Sequence, residues 1–259
     1  MTNEKIMLWT DSERNVGSGS AVGTFTSCLP AMTWYPAAAG QGRGSIIICP
    51  GGGYTHKAAH EGEPIALKLN AYGLNAYVLD YRVHPDLHPS PYQDARRALL
   101  IARERASQNG SRPDRVGILG FSAGGHLAAS AGTMWDQEAC RPDAMILCYP
   151  VISFGKSGHV GCRINLLGES ATKTQIDDLS LENRVDRHTP PTFLWHTADD
   201  AAVPVENTLL MAAALAARHV PFACHIYPHG AHGLGLASQY PDISGWPDAC
   251  VAFLESLGF

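Results

Sequence analysis

The chain alternates short apolar runs with longer helical patterns from about residue 45 to its end. Most of these runs are apolar along their whole length rather than at every second position, which is typical of strands covered on both faces. Strand–helix alternation of this kind predicts a mainly parallel, doubly wound sheet of the α/β class. The predicted strands are residues 45–49, 76–81, 115–119, 144–149, 192–196 and 222–227.

Three stretches have helical periodicity, at residues 90 onward, 206–218 and 246–257. The first opens with Ser-Pro-Tyr-Gln at residues 90–93, which resembles a capping box with proline at the first helical position. Helical spacing also predicts which side chains face the core. These are Ala95, Ala98, Leu99 and Ala102 in the first helix, and Leu209, Ala213, Ala216 and Ala217 in the second.

The first 40 residues follow a different pattern. Residues 24–26 and 32–35, separated by a Cys-Leu-Pro turn, predict an antiparallel edge. No linker, low-complexity tract or internal repeat interrupts the sequence, so we expect a single domain over residues 1–259. Residues 151–189 have the weakest periodicity and leave room for a small cap.

Composition limits the classes of partner. The chain has 259 residues, of which 45% are hydrophobic and 17% charged, with a formal net charge of −5. A nucleic acid or an anionic membrane would require a basic face, so neither is an expected partner. No apolar run approaches the ~20 residues of a membrane span. The sequence leaves homo-oligomerisation open.

The seven cysteines are scattered and form no Cys-x-x-Cys pair. Buried free thiols in a reducing compartment are the simplest interpretation, and structural zinc is not expected. Residues 1–11 lack the basic region and long apolar segment of a secretory signal. We therefore expect a cytoplasmic location, although a chain whose signal had been removed would look the same.

A Gly-Phe-Ser-Ala-Gly pentapeptide at residues 120–124 contains the candidate nucleophile, Ser122. The motif is short enough to occur by chance, but here it follows a predicted strand directly and opens an apolar helix. This is the strand–turn–helix context of a nucleophile elbow. Glycines on both sides of the serine relieve the crowding of so sharp a turn.

A run of three glycines follows the predicted strand 45–49. Without side chains, the backbone N–H groups there can be approached by a substrate carbonyl. A serine hydrolase takes one oxyanion donor from the residue after the nucleophile and another from the loop after an earlier strand. We therefore expect an oxyanion hole formed by the amides of Gly52, Gly53 and Ala123.

The base and the acid are expected after the last two predicted strands, in the chain order Ser, Asp, His. His232 is the preferred base because it lies in a glycine-flanked loop after strand 222–227, and His229 is its competitor. Asp200 is the preferred acid because Asp-x-x-Val-Pro leads from it into a helix, and Asp199 is the alternative. The acid would hold the imidazole tautomer and stabilise the imidazolium.

Together these landmarks resemble the small esterases grouped with acetylxylan and feruloyl esterases of the α/β-hydrolase superfamily. The resemblance runs from about residue 45 to residue 236, and it also includes His-Glu-Gly-Glu at 60–63, Tyr-Arg at 81–82 and His-Pro-Ser-Pro at 88–91. It implies an α/β-hydrolase fold and hydrolysis of carboxylic esters, often acetyl groups on sugars. It also implies the catalytic roles assigned above to Ser122, Asp200 and His232. Without a signal sequence, soluble oligosaccharide esters or small acyl esters are favoured over polymeric xylan.

Residues just after the glycine run are candidate substrate contacts, namely Tyr54, His60 and Glu61. Scaffold bracing is the alternative role of His60 and Glu61. His56 and His60 are four residues apart and could share a helical face as metal ligands. The intervening glutamate of a His-Glu-x-x-His site is missing, however, and no third ligand is indicated. We expect neither a metal nor a cofactor.

Two other functions are compatible with the same residues. The triad could serve an amide substrate, as in an arylformamidase or a small-peptide hydrolase. A non-catalytic binding protein could also use this scaffold, but such proteins tend to lose the nucleophile, the base or the oxyanion hole. This chain retains candidates for all three.

Overall fold

The computed structural model describes residues 3–14, 23–38 and 43–259. Within these ranges one sheet is formed by β1 (Glu4–Met7), β2 (Ala31–Tyr35), β3 (Ser45–Cys49), β4 (Asn75–Asp80), β5 (Val116–Phe121), β6 (Met145–Cys148), β7 (Thr192–Thr197) and β8 (Phe222–Tyr227). The strand order is β1-β2-β4-β3-β5-β6-β7-β8. β2 pairs antiparallel with both β1 and β4, whereas the six strands from β4 to β8 are mutually parallel.

Helices cover both faces of the sheet. They are α1 (Asp11–Arg14), α2 (Glu63–Ala71), α3 (Ser90–Asn109), α4 (Ala123–Thr133), α5 (Val160–Leu167), α6 (Lys173–Asp178), α7 (Glu206–Ala217) and α8 (Trp246–Ser256). Alternate side chains of β3 enter two separate cores. Ile47 packs with buried residues of α3, α4 and α7, and Ile48 packs with those of α2 and α8. None of the described helices is both long and apolar enough to cross a bilayer.

The predicted α/β class with a mainly parallel sheet is confirmed, and each of the six predicted strands is present within two residues of its expected ends. β3 and β5 are buried at every position, as their continuous apolar runs predict. β8 is the exception, because it lies at the edge of the described sheet. Phe222 and Ile226 on this strand are 37% and 39% exposed.

The predicted strand at residues 24–26 is wrong, and β1 takes the place of antiparallel partner to β2. The cause lies in Asp86. Its carboxylate accepts hydrogen bonds from the backbone N–H groups of Thr26 and Ser27, at 2.7–3.0 Å. These amides are therefore unavailable for a strand ladder, and an intrinsically strand-like sequence folds around a buried acid instead.

Helix details show where apolar periodicity fails. The core face of α3 is confirmed, but the helix begins at Ser90 itself with Pro89 in the cap position, so the predicted capping box is wrong. The predicted core face of α7 is also wrong, since Leu209 is 49% exposed. That helix instead buries Asn207, Thr208, Met211 and Leu215. Two of these are polar, and their burial is set by hydrogen bonds that an apolar pattern does not reveal.

Residues 151–189, where a small cap was an option, contain α5, α6 and the 3-10 helix Leu181–Asn183. His159 caps α5, because its Nδ1 accepts the N–H of Cys162 at 3.0 Å. Thr172 and Gln175 form a full capping box at the start of α6. The segment therefore consists of short helices with their own start signals, and it runs between the end of β6 and the start of β7.

Candidate active site

The functional candidates lie where five neighbouring parallel strands end. The glycine run follows β3, Ser122 follows β5, Tyr149 follows β6, Asp200 follows β7 and His232 follows β8. In a parallel sheet all carboxyl ends meet at one edge, which is where ligands bind in this class of fold. Residues far apart in the sequence are thus brought together by strand order.

Ser122 is held in a sharp turn between β5 and α4. Its φ is +52° and its ψ is −119°, which is strained for a residue with a side chain. The turn requires very close backbone approach on both sides. A Cβ atom at Gly120 would lie 2.0 Å from the Gly124 carbonyl oxygen, and one at Gly124 would lie 2.0 Å from the Cys49 carbonyl oxygen. The two glycines of the pentapeptide are therefore steric requirements.

The His232 ring lies between the serine and the aspartate. Its Nε2 is 2.8 Å from Ser122 Oγ, and its Nδ1 is 2.6 Å from Asp200 Oδ2. Because a carboxylate accepts, the Nδ1–H donates to Asp200 and Nε2 is left to accept the serine hydroxyl proton. The imidazole is in the tautomer that a general base needs.

Asp200 is buried and accepts four hydrogen bonds. Oδ1 accepts the N–H groups of Ala202 and Val203, both at 2.9 Å. Oδ2 accepts from His232 and, at 3.3 Å, from the Nε2–H of His196. Burial alone would raise its pKa, but the hydrogen bonds from His196, His232 and Val203 outweigh burial and lower the pKa below the ordinary 3.8. The carboxylate therefore stays ionised beside the imidazole.

The two competitors for the base and the acid form a pair of their own. Asp199 accepts the Nδ1–H of His229 at 2.9 Å and the N–H of Gly230 at 2.8 Å. Both side chains are exposed, with 84% of the His229 side chain accessible. The structure brings the preferred residues, Asp200 and His232, to Ser122 and leaves Asp199 and His229 bracing the histidine loop.

The carbonyl groups of the glycine run all accept hydrogen bonds from other residues. Gly51 O accepts the Ala58 N–H at 3.0 Å, Gly52 O accepts the Thr55 N–H at 3.0 Å, and Gly53 O accepts the Asn165 side-chain N–H at 2.8 Å. Gly52 and Gly53 have φ values of +127° and +63°. The described residues provide no acceptor for their N–H groups. These two amides are thus free to donate to a substrate oxygen.

Ala123 is the first residue of α4, so its N–H has no acceptor within the helix. The positive end of the helix dipole adds to the potential at this point. Ser122 and the glycine run are in contact, since a Cβ at Gly51 would lie 3.0 Å from Ser122 Cβ. The three candidate oxyanion amides therefore come from loops packed against each other.

Two of the predicted substrate contacts, Tyr54 and Glu61, are bonded to other parts of the protein in this structure. Tyr54 is only 1% exposed, and its hydroxyl donates to His126 Nδ1 at 2.9 Å inside the core. Glu61 is 2% exposed, and its carboxylate is occupied by the Gly51 N–H and the Tyr149 hydroxyl. A Cβ at Gly51 would lie 2.7 Å from Glu61 Oε2, so the glycine there leaves room for this carboxylate.

A cavity of about 420 Å³ opens above Ser122 and His232. Its lining is rich in polar side chains, contributed by Thr55, His56, His60, His159 and Asn165. The His60 side chain is 58% exposed, and its Nε2–H donates to Gly233 O at 2.9 Å. Of the three predicted substrate contacts, His60 and Glu61 both border the cavity, and His60 is the exposed one. The described residues include no group of three or more His, Cys, Asp or Glu arranged to hold a metal ion.

Comparison with known proteins places this site in a family. The BD-FAE family model matches residues 33–215, which is most of the chain. The chain belongs to the BD-FAE family. The solved structure of the acetyl ester-xyloside bifunctional hydrolase from Caldicellulosiruptor lactoaceticus superposes with a TM-score of 0.91 at 44% identity, covering 99% of this chain and 97% of that one. The α/β-hydrolase fold is thereby established.

Two curated relatives of this BD-FAE protein are larger. Endo-1,4-beta-xylanase B from Butyrivibrio fibrisolvens is 38% identical over 79% of this chain, and acetylxylan esterase from Xylanibacter ruminicola is 36% identical over 76% of it. The matches cover 34% and 42% of those two proteins. The chain thus spans well under half the length of either relative.

Three residues of the BD-FAE site have contacts that the sequence analysis missed. His196 binds the acid, Tyr149 follows β6 at the site edge, and Asn165 binds the glycine loop. Tyr149 could have been found from its position, because it is the last residue of a predicted buried strand. Nothing in the sequence near His196 or Asn165 signals these contacts.

Proposed function

We propose that the protein is a serine carboxylesterase that removes short acyl groups, acetyl above all, from carbohydrate or other small alcohols. The observation that carries this proposal is the continuous hydrogen-bonded line from Asp200 through His232 to Ser122, at 2.6 and 2.8 Å. The unbonded amides of Gly52 and Gly53 border the same cavity. A nucleophile, its base and an anion site within one cavity are the requirements of acyl transfer.

In the proposed mechanism, Ser122 Oγ attacks the ester carbonyl carbon while His232 Nε2 takes the hydroxyl proton. The N–H groups of Gly52, Gly53 and Ala123 hold the negative carbonyl oxygen, and Asp200 stabilises the imidazolium. The tetrahedral intermediate collapses as His232 protonates the leaving alcohol. Water then enters, gives a proton to His232 and attacks the acyl-enzyme, which releases the acid and restores Ser122.

The substrate class rests on two supports. The cavity lining includes hydroxyl, imidazole and amide groups, which can form hydrogen bonds with the hydroxyls of a sugar. The names of the relatives refer to acetylxylan and acetyl ester-xyloside chemistry. A cytoplasmic setting is also part of the proposal, because all seven cysteines are free thiols.

Hydrolysis of p-nitrophenyl esters from acetate to octanoate tests the proposal. We expect the highest kcat/KM with acetate, and Ser122→Ala should abolish most turnover and all labelling by a fluorophosphonate probe. Ser256→Ala, at an exposed position at the end of α8, is the matched control and should behave as wild type. Near wild-type rates in Ser122→Ala would refute the serine mechanism. An octanoate optimum, or no release of acetate from acetylated xylo-oligosaccharides, would refute the substrate class.

A further inference from the structure

Glu61 is a buried acid that the proposed mechanism does not use. It is 2% exposed, and among the described residues the nearest basic group is His60, whose Nε2 is 3.7 Å from Oε1. His60 is itself largely exposed and donates to a backbone carbonyl. Burying a carboxylate without a strong ion-pair partner is costly unless hydrogen bonds compensate. The groups that bind Glu61 therefore indicate what it does.

The two carboxylate oxygens bind different loops. Oε2 accepts the Gly51 N–H at 2.7 Å, and Oε1 accepts the Tyr149 hydroxyl at 2.6 Å. The Tyr149 oxygen in turn accepts the Gly235 N–H at 2.8 Å. Gly235 is also held from its other side, because its carbonyl accepts the Trp246 indole N–H at 3.0 Å. A continuous chain of hydrogen bonds thus runs from Gly51 to Gly235 through the core.

The two ends of this series of hydrogen bonds, Gly51 and Gly235, are next to the reacting groups. Gly51 immediately precedes the candidate oxyanion amides of Gly52 and Gly53, and Gly235 lies in the loop that contains His232. The Tyr149 ring also packs edge-on against the His232 ring, with centroids 5.1 Å apart. The oxyanion amides and the base are on separate loops, and Glu61 with Tyr149 is the buried connection between them.

We propose that Glu61 and Tyr149 are positioning residues. They hold the glycine loop (residues 51–53) and the histidine loop (the loop after β8 that contains His232 and Gly235) at one fixed spacing. The inference rests on the proposed esterase function. A carboxylate suits this task because it accepts from two donors at once. A glutamine has only one acceptor oxygen, so if that oxygen stays on the Gly51 N–H, the Tyr149 hydroxyl loses the acceptor for its proton and the second link is weakened. Oxyanion stabilisation depends on such fixed geometry, because misplaced donors lose their advantage in the transition state.

The experiment compares Tyr149→Phe, Glu61→Gln and the double variant by steady-state kinetics with p-nitrophenyl acetate. Tyr149→Phe keeps the ring against His232 and removes the hydroxyl link. We expect kcat to fall roughly tenfold with KM nearly unchanged, less than the hundredfold or more that follows loss of an oxyanion donor itself. The double variant should have nearly the same kcat as Glu61→Gln alone, because both substitutions interrupt the same series of hydrogen bonds. Tyr227→Phe, on the edge strand β8, is the matched control.

Amide hydrogen exchange in wild type and Tyr149→Phe provides a readout without turnover. Loss of the hydroxyl should speed exchange at Gly51 and Gly235 together, although only Gly235 contacts Tyr149 directly. Faster exchange at Gly235 alone, additive kinetic losses, or an unchanged kcat in Tyr149→Phe would overturn the proposal. If Glu61→Gln does not fold, Tyr149→Phe decides by itself. A wild-type protein without esterase activity would refute the proposed function. The amide exchange data would still test whether Glu61 and Tyr149 link the two loops.

Discussion

His196 and His232 donate to the same oxygen of Asp200. His232 Nδ1 lies 2.6 Å from Oδ2, and His196 Nε2 lies 3.3 Å from it. The His196 Nε2–H is shared with the Val203 carbonyl at 3.0 Å, and its Nδ1 accepts the Thr208 hydroxyl at 2.8 Å. His196 is fully buried and has a partner on each ring nitrogen. It therefore helps to hold the Asp200 oxygen that binds the base.

Replacing His196 tests this role. We expect His196→Gln to lower kcat/KM by about tenfold, or about 1.4 kcal/mol of transition-state stabilisation, because a flexible amide cannot serve all three partners of the ring and holds Asp200 less firmly. Asp200→Asn should cost far more, since it disturbs the tautomer of His232 itself. The measurement is kcat/KM for an acetyl ester, alongside a thermal melt. His225→Gln, on β8, is the control, and an effect of the same size there would contradict the assignment.

Asn165 connects α5 to the glycine loop, because its side-chain N–H donates to Gly53 O at 2.8 Å. We expect Asn165→Ala to lower kcat for an acetyl ester several-fold, since the Gly53 carbonyl then loses its anchor and the Gly53 N–H is held less firmly towards the substrate oxygen. Asn183→Ala, in the same 151–189 segment but bonded to Asp177 O, should leave kcat unchanged. Equal kinetics in the two variants would show that α5 does not hold the loop.

Alanine substitutions at Gly124 and at Gly245 are predicted to differ in their effect on stability. A Cβ at Gly124 would lie 2.0 Å from Cys49 O, whereas one at Gly245 would meet no atom within 4 Å. Gly124→Ala must shift backbone against backbone, so we expect a loss of roughly 3 kcal/mol or more, or failure to fold. Gly245→Ala should be neutral or stabilise by up to about 1 kcal/mol. Urea denaturation of both variants measures the difference, and similar midpoints would contradict the prediction.

His126 predicts a loss of stability in mild acid. Burial lowers the pKa of this imidazole from 6.5 to about 4, helped by the neighbouring His88 and opposed by the hydrogen bond to Leu179 O. Between these two values the unfolded chain binds a proton that the folded chain does not, so stability falls as the pH falls. The loss attributable to His126 is about 3 kcal/mol from pH 6.5 to pH 4.

Urea denaturation of wild type and His126→Gln at several pH values measures this dependence. The variant is expected to have a lower stability at pH 7 but a flatter dependence on pH between 6.5 and 4. His88, whose pKa is also lowered by burial, remains in both proteins, so the difference between the two curves isolates His126. Parallel curves would show that His126 is not the titrating group.

The sequence predicts the sheet well because its signal is local. Continuous apolar runs define β3, β5, β6 and β7, and these four strands are buried at every position. Glycine, serine, aspartate and histidine at strand ends can then be assigned by chain order, and the residues next to Asp200 and His232 favour them over Asp199 and His229. The structure brings Ser122, Asp200 and His232 into hydrogen-bonding contact.

Predictions fail where a single polar contact outweighs the local pattern. Asp86 draws residues 24–27 away from strand pairing, and Asn207 is buried in α7 because its side chain binds the backbone at Ile152 and Ser153. Tyr54 and Glu61 turn inward for the same reason. Such contacts join residues 50 or more positions apart, or depend on side-chain direction, and neither is encoded in apolar periodicity.

The position of β8 at the margin of the described sheet has a practical consequence. Its ladder has one neighbour, β7, while β3 and β5, which precede the glycine run and Ser122, are each paired on both sides. Strands paired on one side open locally more readily than interior ones. Local opening of β8 alone can thus move His232 out of the site while Ser122 and the amides of the glycine run stay in position. On heating or in denaturant, esterase activity should therefore be lost before the whole protein unfolds.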